Sequence, residues 1–177
     1  MSGVKLQKLL FLVGPSGSGK TAVGEALSHT LCLPFYDTDA LIEDQEHKPI
    51  CEIFAKNGET YFRALEESII DNLFEQYSSG IVATGGGLPT IGGLMEKLLD
   101  RGITIYLKAS IDELWSRLSF APEELAKRPL LHSKGRKGLD GMLKSREWIY
   151  KKAKHIVTTD GLNVKQTVEQ IIQLRFV

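Results

Sequence analysis

The chain has 177 residues, its 22 Lys and Arg balanced by 22 Asp and Glu for a formal net charge of zero. That length suits a single α/β domain spanning 1–177 whose core needs no disulfide, and the absence of a dense Lys/Arg cluster argues against nucleic acid or an anionic membrane as partner. With no apolar run near the roughly eighteen residues of a membrane span and no targeting signal, the expectation is a cytoplasmic monomer acting on small molecules, with Cys32 and Cys51 reduced and buried.

Taken in chain order, Lys8 to Val13 is an almost unbroken apolar run stopping at Gly14, the pattern of a parallel strand buried on both faces. A Gly-rich turn follows, and from Lys20 to about Thr30 the apolar residues Ala22, Val23, Ala26 and Leu27 recur at helical spacing. Phe35-Tyr36 reads as a second strand closed by Asp37-Thr38-Asp39, with a helix from Ala40 to Gln45 behind it. Pro49 to Asn57 and Glu59 to Gln76 read as two helices parted by Gly58, the second with Phe62, Leu65, Ile69 and Leu73 on one face. Ile81-Val82-Ala83 is a third strand, and the glycines Gly85, Gly86 and Gly87 after it imply positive φ angles or a backbone pressed against a ligand. A helix over Met95 to Arg101 and a fourth strand over Thr104 to Leu107 come next. Residues 119–138, with Pro122, Pro129, Gly135 and several basic side chains, break the rhythm and read as a mobile lid loop. A helix over Gly141 to Lys152, a strand over Ile156 to Thr158 and an amphipathic helix from Val164 close the chain. The alternation predicts a parallel sheet with helices on both faces and binding groups gathered at the carboxyl ends of its strands.

The run Gly14-Pro15-Ser16-Gly17-Ser18-Gly19-Lys20-Thr21 is a phosphate-binding loop in the strand–turn–helix setting that such a loop requires. Backbone N–H groups from Ser16 to Gly19 form an anion nest at the positive end of a helix, Lys20 bridges the β- and γ-phosphates of a nucleoside triphosphate, and the Thr21 hydroxyl takes one position on Mg2+. Asp39 stands where it caps the helix beginning at Ala40. If the second strand lies beside the first, Asp37 and Asp39 both reach the cleft, one holding magnesium and the other taking the proton of an attacking hydroxyl. Arg63, Arg146 and the bare backbone of Gly85, Gly86 and Gly87 suit an acceptor with a carboxylate and hydroxyls, a small anionic polyol. A different sugar acid such as gluconate, or a binding module without turnover, are the competing readings. His29, His47, His132 and His155 lack metal-ligand spacing, and Trp115, Trp148, Met95 and Met142 read as packing residues.

In this order and spacing the phosphate loop, Asp37-Thr38-Asp39, Gly58-Glu59 with Phe62-Arg63 and Glu66-Glu67, Gly85-Gly86-Gly87 and Arg128-Pro129-Leu130-Leu131 resemble shikimate kinase over nearly the whole chain. The resemblance implies a P-loop, three-layer α/β/α fold with a five-stranded parallel sheet and a lid. It implies transfer of the γ-phosphate of ATP to the 3-hydroxyl of shikimate, a step of aromatic amino-acid biosynthesis. It assigns Asp39 to the 3-hydroxyl, Asp37 to magnesium, and Arg63 with Arg146 to the shikimate carboxylate. Gly86 and Gly87 fall to the substrate hydroxyls, Arg128 to the phosphates as a lid arginine, and Arg117 to adenine. Phe54 and Phe62 become ring contacts near the acceptor, and Glu66 orients Arg63. The chain departs from the family pattern at Trp148, where a proline is usual, and at Asp160-Gly161-Leu162-Asn163, which offers no adenine-contacting arginine.

Overall fold

The computed structural model describes residues 7–120 and 129–174. Five strands, β1 (Leu9–Val13), β2 (Phe35–Asp37), β3 (Gly80–Ala83), β4 (Ile103–Lys108) and β5 (His155–Thr158), form one sheet in the order β2-β3-β1-β4-β5. Every pairing is parallel, and Leu10 of β1 faces Ile81 on one side and Ile103 on the other. All five residues of β1 are buried, which is why an unbroken apolar run and not an alternating one marks this strand.

Side chains of β1 alternate between two cores, as strand geometry dictates. Leu9, Phe11 and Val13 pack with the helices α3 (Ile50–Gln76), α4 (Leu94–Arg101) and α6 (Pro129–Tyr150) on one face. Leu10 and Leu12 pack with α1 (Lys20–Leu31) and α7 (Val164–Gln173) on the other. The result is a three-layer α/β/α arrangement. A smaller apolar cluster joins Leu114 and Leu118 of α5 (Ile111–Ser119) to Leu139 of α6. The helix α2 (Thr38–Glu46) follows β2 without a loop, and a single 3-10 turn over Leu88–Thr90 follows the three glycines.

Most predicted elements stand where the pattern puts them, with differences that matter for the site. The two helices expected on either side of Gly58 meet there as one broken α3, Gly58 taking φ 82° and ψ 176°. Residues 119–138 are not a continuous lid loop: Ser119 ends α5, and helical turns run from Pro129, kinked at Gly135, into the helix expected only from Gly141. Residues 121–128 of the expected lid lie outside the described residues. Strand β2 does not lie beside β1, since β3 stands between them. Gly85, Gly86 and Gly87 are not among the residues of positive φ; Gly85 and Gly87 are instead crowded by the side chains of Asp39, Glu66 and Arg63, and Gly86 has only ordinary contacts. Cys32 and Cys51 are exposed instead of buried. Trp148 is also exposed, its indole N–H donating to the Ser145 carbonyl at 3.0 Å with Lys152 over the ring, so it is no core residue.

Candidate active site

The phosphate loop runs from the carboxyl end of β1 to the first turn of α1. Its glycines answer a steric need: Gly17, at φ 82°, has Leu118 Cγ only 2.9 Å from where a Cβ would stand, and Gly14, at φ 145°, has the Leu107 carbonyl equally close. No acidic residue occupies the first turn of α1, which leaves the positive end of the helix open to an anion. The Lys20 ammonium donates to the carbonyls of Gly14 and Pro15 at 2.9 and 2.8 Å, so it already stands across the loop.

Asp37 ends β2 and does two jobs. Its Oδ1 accepts from the backbone N–H of Asp39 at 3.0 Å, which makes Asp37, and not Asp39, the N-cap of α2. The extended φ of −107° at Asp37 fits a cap, whereas Asp39 already lies in the helical first turn. Its Oδ2 accepts from the Thr21 hydroxyl at 2.8 Å. The two candidate magnesium residues therefore touch, although β3 separates their strands. Relieved of capping, Asp39 points its Oδ1 to within 2.6 Å of the place where a Cβ on Gly85 would stand. Glu66 Oε1 comes within 2.9 Å of that same point, so any side chain at Gly85 would displace both carboxylates.

Arg63 is fixed from two sides by its own helix. Nη2 donates to Glu59 Oε1 at 3.0 Å and Nη1 to Glu66 Oε2 at 2.6 Å, and the guanidinium fills the space beside Gly87, where a Cβ would lie 2.5 Å from Nη1. Glu66 is only 1% exposed. Burial pushes its carboxyl up to about 7 and the Asp39 charge adds to this, while Arg63 and Arg146 act in the opposite sense. Phe54 and Phe62 stack on each other at 4.6 Å across the break in α3, with the Arg63 guanidinium 5.7 Å from the Phe62 ring. Arg146 stands on α6, which runs through Trp148 without a break and brings Tyr150 to the same helix face four residues on. The Tyr150 hydroxyl donates to the Gly86 carbonyl at 2.5 Å. Burial raises its pKa, against the opposing charges of Arg146 and Arg63.

Arg117 is held by Glu113 at 2.8 Å and by the Thr159 carbonyl at 2.6 Å. A cleft of about 520 Å³ links it to the phosphate loop, Asp37, Asp39 and Gly86. Arg128 lies outside the described residues. Of the other residues singled out from sequence, the fold gathers Asp37, Asp39, Lys20, Thr21 and Arg117 at one cleft, and Arg63, Gly85, Gly86, Gly87 and Arg146 around the glycine turn at its edge. Sequence reasoning missed Thr38, whose buried Oγ1 accepts from the Gly85 N–H at 2.8 Å, and Thr159, Leu162 and Asn163, which line the cleft near Arg117. It also missed Tyr150, whose spacing from Arg146 was a usable signal. The segment after β5 is set by caps: Asp160 accepts from the Ser110 N–H at 2.8 Å, and Asn163 and Gln166 form a capping box on α7.

The family model described as shikimate kinase matches residues 16–175. A shikimate kinase of Legionella pneumophila is 37% identical over 175 residues, covering 98% of this chain and 97% of that one. One from Clostridium botulinum is 39% identical over 164 residues, covering 93% and 94%. The solved shikimate kinase from Acinetobacter baumannii in complex with shikimate superposes with a TM-score of 0.87 at 32% identity, over 94% of this chain and 92% of that one. With sequence and backbone in agreement over almost its full length, the chain belongs to the shikimate kinase family.

Proposed function

We propose that the chain transfers the γ-phosphoryl group of ATP to the 3-hydroxyl of shikimate, giving 3-phosphoshikimate and ADP. The observation that carries this reading is the junction of two half-sites at Gly86, whose Cα faces the carbonyl of Gly14 and the N–H of Ser16 in the phosphate loop and whose carbonyl is held by Tyr150. On one side of that junction lie the groups for a triphosphate. On the other lie two arginines and a bare backbone.

Each residue then has a distinct task. The N–H groups of Ser16 to Gly19 cradle the phosphates, and Lys20 exchanges the Gly14 and Pro15 carbonyls for β- and γ-phosphate oxygens. Thr21 and Asp37 offer hard oxygen donors already in contact at 2.8 Å, a set that fits Mg2+. When bound, that ion would neutralise charge on the phosphates. Arg63 and Arg146 take the shikimate carboxylate, and Glu66 with Glu59 holds the Arg63 fork in plane. Asp39, free of the cap, receives the proton of the 3-hydroxyl as it attacks. Arg117, braced by Thr159, faces adenine. The family resemblance gives Arg128 the transferring phosphate. The balanced charge of the chain favours small-molecule partners, and the expected state of the chain is a monomer.

The test is ADP release by the purified chain, with and without Mg2+, over a panel of hydroxy acids including shikimate and gluconate. Release that depends on shikimate and on Mg2+ is expected. Release with gluconate and none with shikimate would overturn the reading.

A further inference from the structure

Three of the carbonyl and N–H groups in the turn Gly85-Gly86-Gly87 are held by partners whose identity explains the turn's shape. The Gly85 N–H donates to Thr38 Oγ1 at 2.8 Å, the Gly85 carbonyl accepts from the Leu88 N–H at 3.1 Å, and the Gly87 carbonyl accepts from the N–H and hydroxyl of Thr90 at 2.9 and 2.6 Å. The remaining carbonyl, that of Gly86, is held by Tyr150 from a different element, across 64 positions of sequence. Among the described residues nothing accepts from the N–H of Gly86 or of Gly87. Those two donors are therefore left for a ligand.

The Gly86 carbonyl and the Gly87 N–H belong to one planar peptide unit and point in opposite directions. Whatever holds the first aims the second. We propose that Tyr150 is a positioning residue of the acceptor site, its hydroxyl fixing the Gly86–Gly87 peptide plane so that the Gly87 N–H meets a ring hydroxyl of the acceptor. This rests on the reading that the turn faces shikimate. The bond also polarises the peptide, which makes its N–H a better donor. Tyr150 suits the task because its ring is immobile: it is fully buried and packs on Tyr106 at a centroid distance of 5.3 Å. Arg146, one helical turn earlier, stands close enough to lower the pKa of the Tyr150 hydroxyl against the effect of burial, so α6 delivers a carboxylate-binding arginine and the peptide brace together.

Tyr150→Phe keeps the ring and removes only the donor. Its kcat/KM for shikimate should fall by about threefold to tenfold, the range for one net hydrogen bond, with the KM for ATP unchanged. The decisive readout uses 4-deoxy- and 5-deoxyshikimate. Against one of them the penalty for the missing hydroxyl should shrink in Tyr150→Phe relative to the parent chain, because the N–H it met is no longer aimed. Tyr106→Phe serves as the packing control and should leave the shikimate kinetics alone. In the ligand-free chain the Gly87 amide resonance should move in Tyr150→Phe. Equal penalties for both analogues in the two chains, an equal loss in Tyr106→Phe, or an unmoved Gly87 resonance would overturn the proposal. A parent chain inactive on shikimate would instead overturn the proposed function, and the Gly87 resonance would still decide the peptide plane.

Discussion

At the residue scale the proposed site divides binding from proton handling. Asp39→Asn keeps the shape of the side chain and cannot accept a proton, so kcat should fall by about a hundredfold or more while α2 stays capped by Asp37. Steady-state kinetics with each substrate varied, beside a melting curve, checks this, and a near-normal kcat would deny Asp39 the role of base. Arg63→Lys replaces a planar fork held by Glu59 and Glu66 with a point charge, and the KM for shikimate should rise by about tenfold with little change for ATP. If ATP affinity moves instead, the arginine serves the nucleotide. The cap of α2 was assigned from sequence to Asp39 and belongs to Asp37. Two aspartates two positions apart can both precede a helix, and only backbone geometry tells which one caps it.

At the scale of elements, β1 and the helix after it were plain from the apolar run and the helical period, because both are buried on a face set by those periods. The first half of α6 was not. Pro129 and Gly135 read as helix breakers, yet proline is tolerated as the first residue of a helix and glycine absorbs the kink at φ 56°. Strand order was equally hidden, since nothing local in Phe35 to Asp37 says that β3 will intervene. Two predictions belong here. Gly58 sits at φ 82° and ψ 176° with nothing within 4 Å of a would-be Cβ, so Gly58→Ala meets no clash. It should nonetheless destabilise the chain by about 1–3 kcal/mol through backbone strain, read by urea unfolding. Asp37→Asn preserves a good N-cap and removes a charge beside Thr21. Stability should hold within about 0.5 kcal/mol while half-maximal activity needs more Mg2+; an unaltered Mg2+ requirement would leave Asp37 as a cap alone.

For the whole molecule, Glu66 couples stability to pH. Its carboxyl is raised from 4.5 to about 7 by burial, so between those values the folded chain holds a proton that the unfolded chain has released. The stabilisation from that proton is complete below about 4.5 and is lost as pH rises through 7. Glu66→Gln cannot ionise, and its stability relative to the parent should grow by on the order of 3 kcal/mol between about pH 5 and pH 8. Parallel stability curves for the two proteins would contradict this. The sheet order has a consequence for how the molecule comes into being. Leu10 pairs with Ile81 on one edge and Ile103 on the other, so the strand that launches the phosphate loop finds no partner until β3 has been synthesised and is not enclosed until β4 follows. A growing chain carries Leu9–Val13 as a bare, adhesive segment until Gly80–Ala83 is made, and open on one edge until Ile103–Lys108 follows, a candidate for chaperone capture. The phosphate loop grows out of β1, so its geometry is complete only once the strands on both edges of β1 are in place.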